Sequence, residues 1–280
     1  MKRFLPLIIA FSFQMAHAQH LNVITFNIRY DTPRDSANAW PLRKDNAASQ
    51  IRFHEAQIVG VQEALHHQLT DLKERLPGFT YTGIGREGGQ KGEYSAIFYD
   101  STRLTLLQSQ TFWLSPTPGD TGKKGWDANL PRIVTWAKFR DIKTKKQFFL
   151  FNTHFDHIGK LARASSAKLL IQKVNEIGGK LPCIIMGDFN AAPNDEPIQI
   201  ITNTSDALHL TDTKSISSTA HYGPEGTFNG FRSAETSNEP IDHIFITKGV
   251  KVLQHATLSQ TWKGKFSSDH FPVFARVAIQ

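Results

Sequence analysis

The stretch LPCIIMGDFNAAP, residues 181–193, is an apolar run that stops at an acid. Leu181 to Met186 reads as the interior of a buried strand. Gly187, Asp188, Phe189 and Asn190 follow, then small residues and a proline. Side chains two apart on an extended segment point the same way, so Asp188 and Asn190 are aimed at one spot beyond the strand end. The carboxyl ends of strands are where α/β folds place their ligands. Taken alone, the pair is also what an ordinary turn would use.

The same ending recurs along the chain. Asn27 ends LNVITFN, Glu63 ends IVGVQE and His154 ends QFFLFNTH. Asp242 and His243 open IDHIFI, and Asp269-His270 stands just before FPVFARV. Turn propensity explains Asp and Asn at such places but not Glu and His. The repetition points to one polar site fed by several strands.

Working outward, further strand-like runs are YSAIFYD, the stretch from Leu104 to Leu114, and IVTWAKF. All are rich in β-branched and aromatic residues and bounded by Gly, Pro, Asn or Asp. Helical patterns cover about residues 42–57, 65–76 and 159–177. Strand and helix alternate early and strands follow one another later, which predicts an α/β sandwich with sheets at the centre and helices outside. Neither a linker nor a solenoid repeat divides the chain. A hydrophobic share of 40% over 280 residues is enough for one large core. Three long polar loops, 85–93, 115–132 and about 211–239, are the places where substrate preference is expected to reside.

Residues 1–18 read as a secretory signal peptide. Lys2 and Arg3 form a positive start, Phe4 to Met15 an apolar stretch, and Ala16-His17-Ala18 a cleavage signal. The apolar stretch is shorter than the roughly 20 residues a membrane span needs. The expectation is an exported protein, periplasmic or secreted, without a transmembrane anchor, whose catalytic domain occupies residues 19–280 as a monomer. The formal charge is +7, and loss of Lys2 and Arg3 leaves +5. That balance suits anionic partners such as phosphates without choosing among them. Cys183 is the single cysteine; lying in an apolar strand, it reads as an inert core thiol, and it excludes an internal disulfide.

The pieces TFN, GVQE, NTHFD, MGDFN, IDHIF and SSDHFPV, in that order from about residue 21 to the end, resemble the endonuclease/exonuclease/phosphatase superfamily. The resemblance implies a four-layer αββα sandwich of two packed mixed β-sheets in a single domain. It also implies a metal-dependent phosphoester hydrolase working with Mg²⁺ or Mn²⁺, ions that favour hard oxygen ligands. Carried over residue by residue, Glu63 with Asn27 resembles the principal metal site, and Asp269 a further acidic ligand. Asp188 and Asn190 would position the attacking water and a phosphate oxygen. His270 would be the general base, or hold the phosphate as an imidazolium, with Asp242 fixing its tautomer. His154 and Arg132 would contact phosphate, and Glu93 matches the position that pairs with this histidine in the deoxyribonuclease branch.

The chain also departs from relatives. Abasic-site endonucleases carry an acid where FNIRYD has Arg29, and the run W-x-x-R (Trp40, Arg43) fits an exported bacterial branch. Trp40 and Arg43 are read as packing and pairing at a helix start. A zinc site at His154, Asp156 and His157 is disfavoured, since alternation turns the two histidines to opposite sides. The functional expectation is a secreted phosphodiesterase acting on a small or lipid-linked phosphate ester. The alternatives are an exported nuclease, which needs a basic, aromatic-bearing groove, and a catalytically inactive phosphate-binding module.

Overall fold

The computed structural model describes residues 20–232 and 239–280. The expected signal peptide lies outside the described residues, as do residues 233–238 of the third long loop. The elements run β1 (Leu21–Asn27), α1 (Lys44–Phe53), β2 (Ile58–Ala64), α2 (His66–Arg75), β3 (Phe79–Thr82), β4 (Tyr94–Asp100), β5 (Leu104–Trp113) and β6 (Ile133–Asp141). They continue with β7 (Gln147–His154), α3 (Lys160–Gly178), β8 (Cys183–Asp188), α4 (Glu196–Thr202), β9 (Thr211–Asp212), β10 (Asp242–Ile246), β11 (Val250–Thr257) and β12 (Val273–Ile279).

Two six-stranded mixed sheets result, in the orders β11-β12-β1-β2-β4-β3 and β5-β6-β7-β8-β10-β9. The period of two along each strand sorts its side chains into layers. In β1, Val23 points to the interface between the sheets, where it meets Ile58, Ile97, Phe139, Leu150, Met186 and Ile244. Ile24 and Phe26 point the other way and pack under α1 and α2 with Ala47, Ile51, Leu69 and Leu72. The second sheet repeats the scheme: Phe149, Phe151, Ile185 and Phe245 pack under α3 and α4 with Leu170, Val174, Ile198 and Ile201. Each buried aliphatic or aromatic side chain contributes roughly 1.5–3 kcal/mol. The four-layer αββα sandwich is therefore the arrangement that buries both faces of both sheets.

A polar lock crosses the inter-sheet layer. Asn152 of β7 donates to Val61 O (2.9 Å) and Ala96 O (2.8 Å) and accepts from Gln62 Nε2 at 2.6 Å. Gly60 is what permits this contact, because a Cβ there would lie 2.7 Å from Asn152 Oδ1.

Nine strands and three helices occur where the sequence predicts them, with ends shifted by a few residues. The short α4 and the strands β3, β9 and β11 do not stand out in the sequence. β3 is half-buried along its length, and β11 exposes Lys251 and Gln254; edge positions of this kind lose the apolar run that marks a central strand. No helix among the described residues is long and apolar enough to cross a membrane.

Candidate active site

The strand order places the polar strand ends side by side. In the second sheet, His154 pairs with Asp188 across β7 and β8, and Asp188 pairs with Asp242 across β8 and β10. In the first, Asn27 ends β1, Glu63 lies near the end of the adjacent β2, and Asp269-His270 leads into β12 on the other side of β1. Two rows of functional groups thus face each other at one rim of the paired sheets.

Asn27 joins the rows. Its Nδ2 donates to Glu63 Oε1 (3.0 Å) and to Asp188 Oδ2 (2.9 Å), and lies 3.5 Å from His270 Nε2. His270 Nδ1 meets Asp242 Oδ2 at 2.9 Å, while its Nε2 stands 3.8 Å from Asp188 Oδ2. On the far side of Asp188, His154 Nε2 is 3.5 Å from Oδ2 and 3.1 Å from Asn190 Nδ2. Asp269 enters through Arg29, whose guanidinium lies 3.7 Å from Asp269 and 3.9 Å from Glu63.

The backbone is bent to aim these groups. Glu63 (φ 61°), Arg29 (φ 57°) and Asn190 (φ 47°) all occupy the left-handed region, at a cost of order 1–3 kcal/mol each. The strain has local supports. A register shift between Val61 and Ala64 turns Glu63 off the ladder. Asp188 Oδ1 accepts from the Asn190 amide (2.9 Å), and Asn27 Oδ1 accepts from the Arg29 amide (3.0 Å).

The family description Endonuclease/Exonuclease/phosphatase matches residues 24–270, which takes in every strand end of the site. The chain belongs to this family. An endonuclease/exonuclease/phosphatase protein from Bacteroides vulgatus is 40% identical, with a TM-score of 0.89 over 94% of this chain and all of that one. A mannosyl-6-phosphatase from Bacteroides thetaiotaomicron is 37% identical, with a TM-score of 0.87 over 92% of this chain and 100% of that one. Protein angel of Drosophila melanogaster is 23% identical across 58% of this chain, which spans about half of that protein's length (47%). As a member of the family, the protein is a metal-dependent phosphoester hydrolase.

The family's cation suits the donors present. Glu63 Oε1 and Asp188 Oδ2 converge on one amide nitrogen, a hard-oxygen set without a thiolate. Asp188, Asp242 and His270 also form a compact, buried cluster among the described residues, with His270 Nδ1 turned to Asp242. Asn27, expected as a ligand, turns its NH₂ to both carboxylates, so as placed it ties them together instead of offering an oxygen. His154, Asp156 and His157 do not converge. Asp156 is taken up by the backbone N–H groups of Ile158 (3.1 Å) and Gly159 (2.8 Å), which outweigh burial and hold its carboxyl at about 2.

Burial and charge separate the titrating groups of the site. Burial pushes the Asp188 carboxyl up to about 7, with the Asp242 charge adding to the push and His270 opposing it. Burial disfavours charge on His270, but Asp242 and Asp188 outweigh it and keep the imidazolium well above the ordinary histidine range. Burial, then the Arg132 and His270 charges, pushes His154 well below that range. The two histidines are thus pushed in opposite directions.

Two expected roles take a different form. Glu93 does not pair with His154; the Arg86 guanidinium takes both its oxygens at 2.8 Å, although both residues and His154 line one small cleft. Arg132 lies in the same cleft but gives Nε to Asp156 (3.3 Å) and brings Nη2 within 2.9 Å of His157 Nδ1. A guanidinium outcompetes a neutral imidazole for a carboxylate, and Arg86 carries no motif that announces it. Arg43 was legible only as a residue that packs and pairs at a helix start. It is 2% exposed and donates to Asn38 O, Ile28 O, Arg29 O and Ser267 O. It therefore clamps the segment bearing Asn27 to the one bearing Asp269 and His270.

Proposed function

We propose that the protein is an exported hydrolase of small, soluble phosphate esters, in the class of phosphorylated sugars. The carrying observation is the Asp242–His270 pair, directed at Asp188 and bridged by Asn27 to Glu63. Similarity to the Bacteroides thetaiotaomicron mannosyl-6-phosphatase over nearly all of both chains supports a sugar monoester in place of the diester that the sequence alone suggested. The basic, apolar and A-x-A segments of residues 1–18 support export.

When bound, Mg²⁺ or Mn²⁺ supplies positive charge against the phosphoryl and leaving oxygens. Glu63 would be its principal ligand, with Asp269 beside it. The residues of the chain do the rest. Asp188 accepts a hydrogen from the attacking water and, with the Asn190 amide, sets its line toward phosphorus. His154 and Asn190 donate to a phosphate oxygen. Asp242 fixes the His270 ring, so that Nε2 holds or passes a proton at the reacting face. Arg132 adds positive charge from the adjoining cleft.

A nuclease has less support. Of the basic loop residues available for a nucleic-acid groove, Arg86 is buried against Glu93. The inactive-module reading has none, since every group it would have to lack is present and converges. The test is turnover of mannose 6-phosphate, p-nitrophenyl phosphate, bis-(p-nitrophenyl) phosphate, sphingomyelin and supercoiled plasmid, with Mg²⁺ or Mn²⁺ and after chelation. Monoester hydrolysis abolished by chelation is expected. Cleavage of plasmid alone would sink the proposal.

A further inference from the structure

Three large apolar side chains stand out from one face of the molecule. Ile158 is 60% exposed, Leu161 58% and Trp126 37%. Asp127 fastens their two segments together: its Oδ1 accepts from the Ala162 amide (2.6 Å) and its Oδ2 from that of Leu161 (3.3 Å). Gly159 lets the segments meet, since a Cβ there would lie 2.6 Å from Asp127 Oδ1. Trp126 lines one groove with Ser165 and Lys168. Those residues follow Leu161 by four and seven positions and so share its stripe of α3.

The rim of this patch is basic. Lys123 and Lys124 precede Trp126, Lys160 precedes Leu161, and Lys168 lies beside the indole; all four are exposed. None of them makes an ion pair with another of the described residues. The acids nearby are Asp120 and Asp127, and the second is taken up by the α3 amides, so positive charge is in excess. Trp126 also occupies the left-handed region (φ 51°), a costly backbone conformation for a bulky residue that is not buried in return.

We propose that this face docks the protein onto an anionic lipid membrane. Trp126, Ile158 and Leu161 would enter the headgroup boundary, and the four lysines would meet the lipid phosphates. Apolar side chains within a basic rim suit such a surface, where burial and attraction to anionic headgroups add, and tryptophan favours the interface itself. A nucleic acid offers exposed isoleucine and leucine no comparable apolar layer. The patch also borders the active site: Ile158 follows His157, whose Nδ1 lies 2.9 Å from Nη2 of Arg132, a residue of the cleft beside His154. Docking would therefore keep that cleft at the membrane surface. The patch takes no part in the chemistry, so the proposal is independent of the substrate.

Cosedimentation of the full chain with lipid vesicles is the test. Wild type is expected to bind vesicles of phosphatidylglycerol and phosphatidylcholine in equal parts at low salt. Binding should weaken several-fold as NaCl rises to about 0.5 M, and pure phosphatidylcholine should hold little protein. Ile158→Ser with Leu161→Ser, and Lys123→Gln with Lys124→Gln, should each weaken binding about tenfold. Phe53→Ser removes an 80% exposed ring from α1, on the opposite outer layer, and should change nothing. A thermal scan identifies folded variants, and should one pair not fold, the other decides. Wild type that ignores the mixed vesicles, as a patch reserved for a protein partner would, overturns the proposal. So does equal binding to pure phosphatidylcholine, undiminished binding by the folded variants, or a loss as large in Phe53→Ser.

Discussion

Replacing Arg43 by Met keeps the length and apolar stem of the side chain and deletes its donors. Four backbone carbonyls, of Asn38, Ile28, Arg29 and Ser267, lose a donor, and that of Arg29 keeps Gln68 Nε2 at 2.9 Å. A net contribution of about 1 kcal/mol per hydrogen bond gives about 4 kcal/mol. Relief from burying a charge lowers that figure, and the loss of packing over the Trp40 ring, 5.0 Å away, raises it. For a domain of this size each kcal/mol shifts Tm by roughly 2–4 °C, so a fall of roughly 10 °C is expected in a thermal scan, with a matching shift of the urea midpoint. Arg43→Lys, which reaches fewer carbonyls from a single point charge, should fall between the two. A loss below about 2 °C for Arg43→Met, or Lys behaving as wild type, would refute the clamp.

Asp242→Asn removes the charge that faces His270 at 2.9 Å; turnover should fall roughly 10²–10⁴-fold while Tm changes little, and undiminished turnover would remove the pair from the mechanism. Burial, working against the attraction of Asp212 and with the repulsion of His221 and Lys214, holds the His255 imidazole at about 4. The folded value is below the unfolded one of about 6.5, so the unfolded chain binds more protons between those limits. Stability contributed by this group is therefore complete above about pH 6.5 and falls by on the order of 3 kcal/mol toward pH 4. His255→Gln should flatten much of that slope in urea titrations at stepped pH, leaving Asp212, His221, His243 and Lys214 as the nearby charges, and an unchanged slope would contradict the assignment. Burial pushes the Cys183 thiol up to about 12, so a disulfide reagent at pH 8 should label the native protein far more slowly than the urea-unfolded one; equal rates would show that β8 opens readily.

Much of the site could be read from the residues themselves. Asp188, Glu63, His154, Asp242 and His270 stand at strand ends, where the apolar runs stop and polar groups have no packing reason to be. The β-branched and aromatic runs before them mark the strands they end. Arg29, Arg43 and Arg86 lie in loops or helix approaches, where an arginine is ordinary. Their contacts join positions far apart in the chain, such as Arg43 with Ser267 and Arg29 with Asp269. Asn27 shows the same limit on a finer scale: its place at the centre was evident, but which end of its amide faces the carboxylates depends on which neighbours compete for it.

By itself the sequence determined the layered α/β class, the period-two sorting of apolar residues and the set of acids and histidines delivered to strand termini. These are local matters of burial and spacing. Only the tertiary structure decided the pairings: Asp188 between His154 and Asp242, one amide holding two carboxylates, Glu93 claimed by Arg86, and the Arg29 guanidinium standing beside Glu63 and Asp269. Such contacts are settled by competition among charged groups brought together by strand order, and strand order is a property of the folded sheets.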